Sequence, residues 1–291
     1  MGNSNPLVSI CCLTYNHEPY IRQCLDGFMM QKTDFSFEVL IHDDASTDGT
    51  TNIIKEYEAK YPNIIKPIYQ TENQYSKGVS PSIIQYFCAI GKYIAPCEGD
   101  DYWTDPYKLQ KQVDFLERNL DFVGCFHNTE ERYEEPDQAS FLYCNFNNQI
   151  ISFQDLSYRN LIPTCSVVYR RVPFMEFPEW YKQLKVKDWT LHLLNAQFGN
   201  FWYIPKIMGV HRLHKSSTWA LQDHQKNVKY IEHVYNIMIN EGFGNNTKVK
   251  EFLINGKKEF VNSHLQILDK SQETSIKKRI KKKLIGIINR L

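Results

Sequence analysis

Between Leu7 and Cys97, four apolar runs of strand length alternate with three segments whose apolar residues recur at helical spacing. This alternation constrains the fold more than any other feature of the 291-residue chain. The strand-like runs are LVSICCLT, FEVLIHDD, NIIKPIY and KYIAPC. Between them, EPYIRQCLDGFMMQ carries Ile21, Leu25, Phe28 and Met29 at helical steps, TTNIIKEYEAKY carries Ile54, Tyr57 and Tyr61, and PSIIQYFCAI reads as a third helix. Strands apolar on both faces must be covered on both, so the order predicts an α/β fold with a parallel sheet under helices. After a helix at DPYKLQKQVDFLERNL the pattern changes. Strands are expected at FVGCFHNTEE, SFLYCNFN, IISFQDL and TCSVVYRR, then helices at VPFMEFPEWYKQL and DWTLHLLNAQF, giving a mixed second half. Residues 222–270 read as two or three helices with a Gly/Asn turn at EGFGNNT.

Open α/β sheets bind ligands beyond the carboxyl ends of their strands. The polar clusters fall there: TYNHE after the first strand, DDASTDGT after the second, EGDD after the fourth. Adjacent carboxylates at a buried strand end repel one another and imply a cation or a row of donors. A nucleoside diphosphate leaving group needs such a cation, and Mg²⁺ or Mn²⁺ held by one or two carboxylates is the usual neutraliser. Read as an extended strand, EGDD points Glu98 and Asp100 one way and Asp101 the other, and the same residues also fit a solvated turn before a helix.

The eight cysteines form no CxxC pair and sit mostly in apolar runs, which predicts free buried thiols in a reducing compartment. MGNSNP lacks a basic leader region and the run Leu7–Leu13 is too short for a membrane span, so a cytoplasmic enzyme is expected. Residues 276–291 hold seven Lys or Arg and no acid, leaving 27 basic against 33 acidic residues in the body. An acidic body excludes a nucleic-acid binder as the first expectation.

The stretches VSICCLTYNHEPYIRQCLDGFMMQ, VLIHDDASTDGT, GKYIAPCEGDDYW, VKDWTLHLLNAQFG and MGVHRLHKSSTW, in that order over residues 7–219, resemble the inverting glycosyltransferases of family 2, which have the GT-A fold. The resemblance implies a single GT-A domain over 1–220, with a mostly parallel nucleotide-binding sheet and a mixed acceptor half, followed by a helical extension over 221–291. It implies that Thr14, Tyr15 and Asn16 line the nucleotide pocket and that Asp43 and Asp44 contact the nucleotide, commonly through uracil. It places a divalent metal, Mn²⁺ or Mg²⁺, at the Asp100–Asp101 pair, with Asp101 as direct ligand and Asp100 toward the nucleotide, and with His214 completing the metal or diphosphate site. It makes Asp188 the catalytic base. Three departures stand out: the segment SKGVSPSIIQYF lacks the Arg-Asn pair common in the family, the metal motif reads EGDD, and His211 replaces the usual Tyr before Arg212.

Each residue also has an ordinary structural reading. Ser46 and Asp48 could cap the following helix while Asp44 alone meets a ligand, and Asp188 opens a helix, where an N-cap is the common use of Asp. As a base, Asp188 would be kept ionised by the helix dipole and take the acceptor hydroxyl's proton. Trp103, Trp189, Trp219 and Tyr15 are core aromatics by default, with Trp103 and Trp189 the candidates for an acceptor-side platform under a sugar. The expected function is transfer of a sugar from a nucleotide diphosphate donor, a UDP-sugar first, to a hydroxyl of a glycan or lipid-linked glycan. A non-catalytic sugar-nucleotide module and a nucleotidyltransferase are the alternatives, and TYNHE offers no Gly-rich cradle for the latter. In the tail, Ile276, Ile280, Leu284, Ile287, Ile288 and Leu291 form an apolar stripe beside a lysine-rich face. That pattern predicts peripheral attachment to an anionic inner membrane surface, or docking on the body as a terminal helix.

Overall fold

The structure, a computed structural model, describes residues 5–135, 138–144, 146–171, 176–185, 187–214, 224–243 and 246–264. The expected alternation is present: β1 (Val8–Thr14), α1 (Ile21–Met29), β2 (Phe37–Asp43), α2 (Thr50–Lys60), β3 (Ile65–Tyr69), α3 (Pro81–Cys88) and β4 (Tyr93–Pro96). There follow β5 (Tyr102–Trp103), α4 (Lys108–Arg118), β6 (Phe122–Tyr133), β7 (Phe141–Leu142), β8 (Ile150–Ile151), α5 (Phe153–Tyr158), β9 (Val168–Arg170), α6 (Glu179–Lys182), α7 (Asp188–Ala196), β10 (Asn200–Leu213) and α8 (His224–Ile237). The sheet order is β3-β2-β1-β4-β9-β6-β10-β5, with β7 on β6 and β8 on β10. The β3-β2-β1-β4 half is wholly parallel, and the other half is mixed: β6 and β10 are parallel, while β9, β5, β7 and β8 pair antiparallel.

Alternation sets the core. Val8, Ile10 and Cys12 of β1 and Val39 and Ile41 of β2 meet Ile21, Leu25 and Phe28 of α1 in one buried cluster, each side chain of this size contributing roughly 1.5–3 kcal/mol. Gly27 lets α1 approach the backbone of β5, since a Cβ there would lie 3.0 Å from Trp103 N and O.

The second half departs from the sequence expectation in several places. IISFQDL is strand only at Ile150–Ile151 and then turns helical. The cause is a capping box at Ser152 and Asp155: the Ser152 N–H and hydroxyl donate to Asp155 Oδ2 at 2.8 and 2.6 Å, and the Asp155 N–H returns to Ser152 Oγ at 3.3 Å. The strand expected at SFLYCNFN shrinks to Phe141–Leu142, and the helix expected across VPFMEFPEWYKQL is four residues long, beginning after Pro178. Thr164–Ser166 forms a 3₁₀ turn ahead of the short β9. EGDD is a turn, with the Asp101 N–H donating to Glu98 O at 3.1 Å, so strand parity does not govern its side chains. All eight cysteines are free, and Cys88 is exposed where a buried thiol was expected.

The chain divides into two compact units, one of Met1–Leu156 with Asn160–Leu221, the other of Ser157–Arg159 with Gln222–Leu291. Within the second, α8 continues into a π-helical turn at Met238–Gly242, and a further helix runs over 247–264. Tyr235 Oη donates to Ser157 O at 2.9 Å, and Gly256 gives the backbone at Ser157 room that any Cβ would fill. No helix among the described residues is long and apolar enough to cross a membrane. The tail over 276–291 lies outside the described residues, as does Trp219.

Candidate functional site

The register that aligns Thr14 with Asp43 brings the ends of β1 and β2 level, and the chain beyond β4 continues beside β1 through Cys97 N–H to Cys11 O (3.0 Å) and Gly99 N–H to Leu13 O (2.8 Å). Three polar loops therefore meet at one end of the sheet. The first two interlock. Asn16 takes a left-handed φ of 54°, its N–H donates to Ser46 Oγ at 2.9 Å, and its side-chain carbonyl accepts from the Thr47 N–H at 2.8 Å. Glu18 accepts from the Gly49 N–H at 2.8 Å, and its own N–H reaches Asp48 Oδ2 at 3.1 Å.

Several expected nucleotide contacts are thus engaged within the protein. Asp43 accepts from the Ser46 N–H (3.0 Å) and the Thr51 hydroxyl (2.5 Å). Asp44 accepts from the backbone N–H groups of Gln74 (2.7 Å) and Tyr75 (3.0 Å), pinning the loop after β3. Asp48 accepts from the Thr50 N–H at 3.0 Å, close to the capping role read from sequence. Tyr15, 44% exposed, stands free at the end of β1, while Thr14 is buried beside Gly99 with its hydroxyl unpartnered.

The third loop holds the carboxylates. Asp100 Oδ2 lies 3.0 Å from His214 Nε2 and 3.7 Å from His17 Nε2, and its Oδ1 is buried without a partner. Burial pushes the Asp100 pKa up, but the hydrogen bond from His214 and the histidine charges outweigh it and hold the group below the usual carboxylate range. Burial lowers the His17 pKa, against the pull of Asp100. Asp101 is directed elsewhere: its Oδ1 accepts the Arg212 N–H at 2.9 Å, and burial and Asp100 raise it. Of the expected metal pair, His214 faces Asp100, while the Asp101 carboxylate accepts a backbone N–H from β10. Glu98 is exposed at the turn, and desolvation, then the charges of Asp100, Asp101 and Asp188, raise its pKa.

Strand β10 supplies the opposite wall. The Arg212 guanidinium binds the Asp100 carbonyl and the Gln23 side chain, pairs with Glu134 at 3.0 Å and lies 4.4 Å from the centre of the Tyr102 ring. Asp188 stands in the first turn of α7, after Lys187 at the N-cap position, so it is not the cap itself. One oxygen accepts from Asn160 Nδ2 at 2.9 Å; the other is buried and unpartnered. Burial raises its pKa against the helix N–H groups and His211, so the dipole does not dominate as expected.

The two tryptophans expected as acceptor platforms are core residues. Trp103 donates its indole N–H to Cys165 O at 2.7 Å and packs on Phe28, and Trp189 donates to Leu156 O at 2.8 Å; both are buried because each ring closes a helix onto the sheet side. Sequence reading missed His17 and Glu131. His17 lay in the quoted TYNHE and was signalled by that position alone. Glu131 had no local signal, since its partner His211 is 80 residues away.

Among the described residues no three His, Cys, Asp or Glu side chains gather as a metal cage. The unpartnered Asp100 oxygen beside two histidines nevertheless fits a cation that keeps other ligands from its substrate.

An uncharacterized protein of Mycobacterium tuberculosis is 41% identical over 222 residues, 75% of this chain and 63% of that protein, so the chain spans less than two thirds of the length of this relative. S. aureus TarS 1-349, solved in complex with UDP-GlcNAc, superposes with a TM-score of 0.63 at 20% identity, over 89% of this chain and 72% of that one. Mannosyltransferase PcManGT from Pyrobaculum calidifontis, solved with GDP-Man and Mn²⁺, gives 0.64 at 15% identity over 89% and 70%. These likenesses fix the fold as GT-A. The model of the family described as glycosyl transferase family 2 matches residues 9–177, more than half of the chain, and the chain belongs to that family.

Proposed function

We propose that the protein transfers a sugar from a nucleoside diphosphate donor, a UDP-sugar first, to a hydroxyl of a glycan or lipid-linked glycan, with inversion at the anomeric carbon. The observation that carries this reading is Asp188, whose one oxygen is fixed by Asn160 while the other is buried and unpartnered. A carboxylate of raised pKa at such a place is suited to general-base work near neutral pH. Asp188 takes the proton of the acceptor hydroxyl; the oxygen attacks the anomeric carbon, and the bond to the diphosphate breaks with its electron pair going to the phosphate oxygen. Asp100 and His214, with His17 beside them, would hold a divalent cation, Mn²⁺ or Mg²⁺, which supplies positive charge against the departing diphosphate. Asp44 and Asn16 act through the loops they brace, and Tyr15 is the exposed ring at the nucleotide end. The UDP-GlcNAc and the GDP-Man with Mn²⁺ bound by the two solved neighbours support a nucleotide-sugar donor and a metal. Residues 1–220 form the transferase domain and 221–291 a helical extension, whose basic end holds the enzyme at an anionic membrane surface on the cytoplasmic side.

The test is a thermal-shift panel of UDP-GlcNAc, UDP-glucose and GDP-mannose with and without Mn²⁺, followed by donor hydrolysis in Asp188→Asn. One donor is expected to stabilise the wild type in a Mn²⁺-dependent way. Asp188→Asn should keep that shift while turnover falls by about 10²–10⁴-fold. Loss of the shift together with the rate would overturn the base assignment.

A further inference from the structure

We propose that Asn160 is the positioning residue for Asp188: its side-chain amide turns the carboxylate so that Oδ1, and not Oδ2, takes the proton of the acceptor hydroxyl. This rests on the reading of Asp188 as the base.

The amide fits one way round. Asn160 Oδ1 accepts the Ile162 N–H at 3.2 Å, a contact that an NH₂ group could not make, so Nδ2 is the end that meets Asp188 Oδ2 at 2.9 Å. An N–H against Oδ2 occupies that oxygen and favours the ionised carboxylate. Among the described residues Oδ1 has no donor against it, and a proton taken up by the group goes there. The backbone of α7 fixes where the Asp188 side chain begins. It does not fix the carboxylate plane, because the terminal torsion of an Asp is broad, and the bond from Asn160 supplies that choice.

Asn160 is in turn held from β6, through a segment distant in sequence from the base. The Asn128 side chain on β6 clamps the backbone of Cys144, donating to its carbonyl at 2.8 Å and accepting its N–H at 3.0 Å, and the Tyr143 N–H donates to Thr129 O at 3.0 Å. From that strip the Tyr143 hydroxyl donates to the Asn160 carbonyl at 3.2 Å, and the Cys144 thiol to the Leu161 carbonyl at 3.7 Å. Asn128, Cys144, Leu161 and Ile162 are all buried. The backbone that carries the amide is thus tied to the sheet. A short side chain on a tied backbone can hold a neighbouring carboxylate at one angle.

Two measurements on the full-length chain test this. In ¹H–¹⁵N spectra the Asn160 side-chain amide, assigned through its backbone resonances, should have one proton shifted downfield by its bond to the carboxylate, and that shift should vanish in Asp188→Ala. This needs no variant at position 160. The second measurement follows hydrolysis of UDP-GlcNAc, or of GDP-mannose if that donor gives the thermal shift. Asn160→Leu, similar in size but without the donor, should lower kcat by about 10–10²-fold, the cost of a misplaced catalytic group. KM for the donor should stay within about twofold, and the nucleotide thermal shift should remain. In the Asp188→Asn background the same substitution should lower the residual rate by less than about twofold, because Asn160 acts through the carboxylate; a residue that merely supports the fold would cost as much in either background. An amide shift unmoved in Asp188→Ala, an equal loss in both backgrounds, or an unchanged kcat in Asn160→Leu while Asp188→Asn is inactive overturns the positioning role. Wild-type turnover in Asp188→Asn overturns the base reading instead, and the spectra then still report whether the amide holds the carboxylate.

Discussion

Lys108 shows how far one residue can stand from its sequence environment. In DPYKLQKQVDFLERNL it reads as part of a polar helix face, yet it is fully buried, its Nζ has no hydrogen-bond partner and lies 4.0 Å from the centre of the Trp103 ring. Burial lowers its pKa from the ordinary 10.5 to about 8, with the thiols of Cys97, Cys165 and Cys125 pulling weakly the other way. Between those two values the unfolded chain binds more protons than the folded one, so this residue makes stability rise with pH across that window. The desolvated ring contact is worth about 2 kcal/mol or somewhat more and offsets only part of the cost of an unpaired buried amine. Lys108→Met is therefore expected to stabilise the protein at pH 7 by about 1–3 kcal/mol and to flatten the rise in stability above pH 8. Urea denaturation at pH 7 and pH 9.5 measures both; a destabilised Met variant at pH 7 would show that the amine has a favourable partner.

The EGDD turn is an element-scale device built on one glycine. A Cβ on Gly99 would lie 2.8 Å from Thr14 Oγ1 and 2.9 Å from Ile21 Cδ1, so only glycine lets this turn lie against the end of β1 and the start of α1 while Asp100 faces His214. Gly99→Ala should push the turn outward, costing about 1–3 kcal/mol in denaturation. It should also reduce the Mn²⁺-dependent nucleotide shift in thermal melts of the still-folded protein; an unchanged shift would mean that the position of Asp100 does not matter for the ligand. The first four strands and three helices were legible because each carries its own apolar period. Elements after Leu142 were less so: two-residue strands have no period to read, and the helix at Phe153 was announced by Ser152 and Asp155, a capping signal hidden inside an apolar run.

At the scale of the whole molecule, the charge is divided between an acidic body and a basic end, with seven Lys or Arg and no acid over 276–291. Deleting those residues should abolish sedimentation with phosphatidylserine vesicles at low salt, each lysine at such a surface contributing about 1 kcal/mol, and should leave the nucleotide thermal shift in place. Equal sedimentation of both forms would assign the tail to packing instead. By itself the sequence determined the α/β class, the parallel order of the first half and the strand ends where polar loops collect. These follow from local periodicity and from motifs of adjacent residues. Only the tertiary structure decided which atoms meet: Asp100 faces His214, Asp101 takes the Arg212 N–H, Trp103 and Trp189 are buried in the core, and Glu131 finds His211 on the neighbouring strand. The physical reason is that a side chain's partner and burial depend on the turn geometry and strand register that bring distant segments together, and neither is encoded in the residue's own neighbourhood.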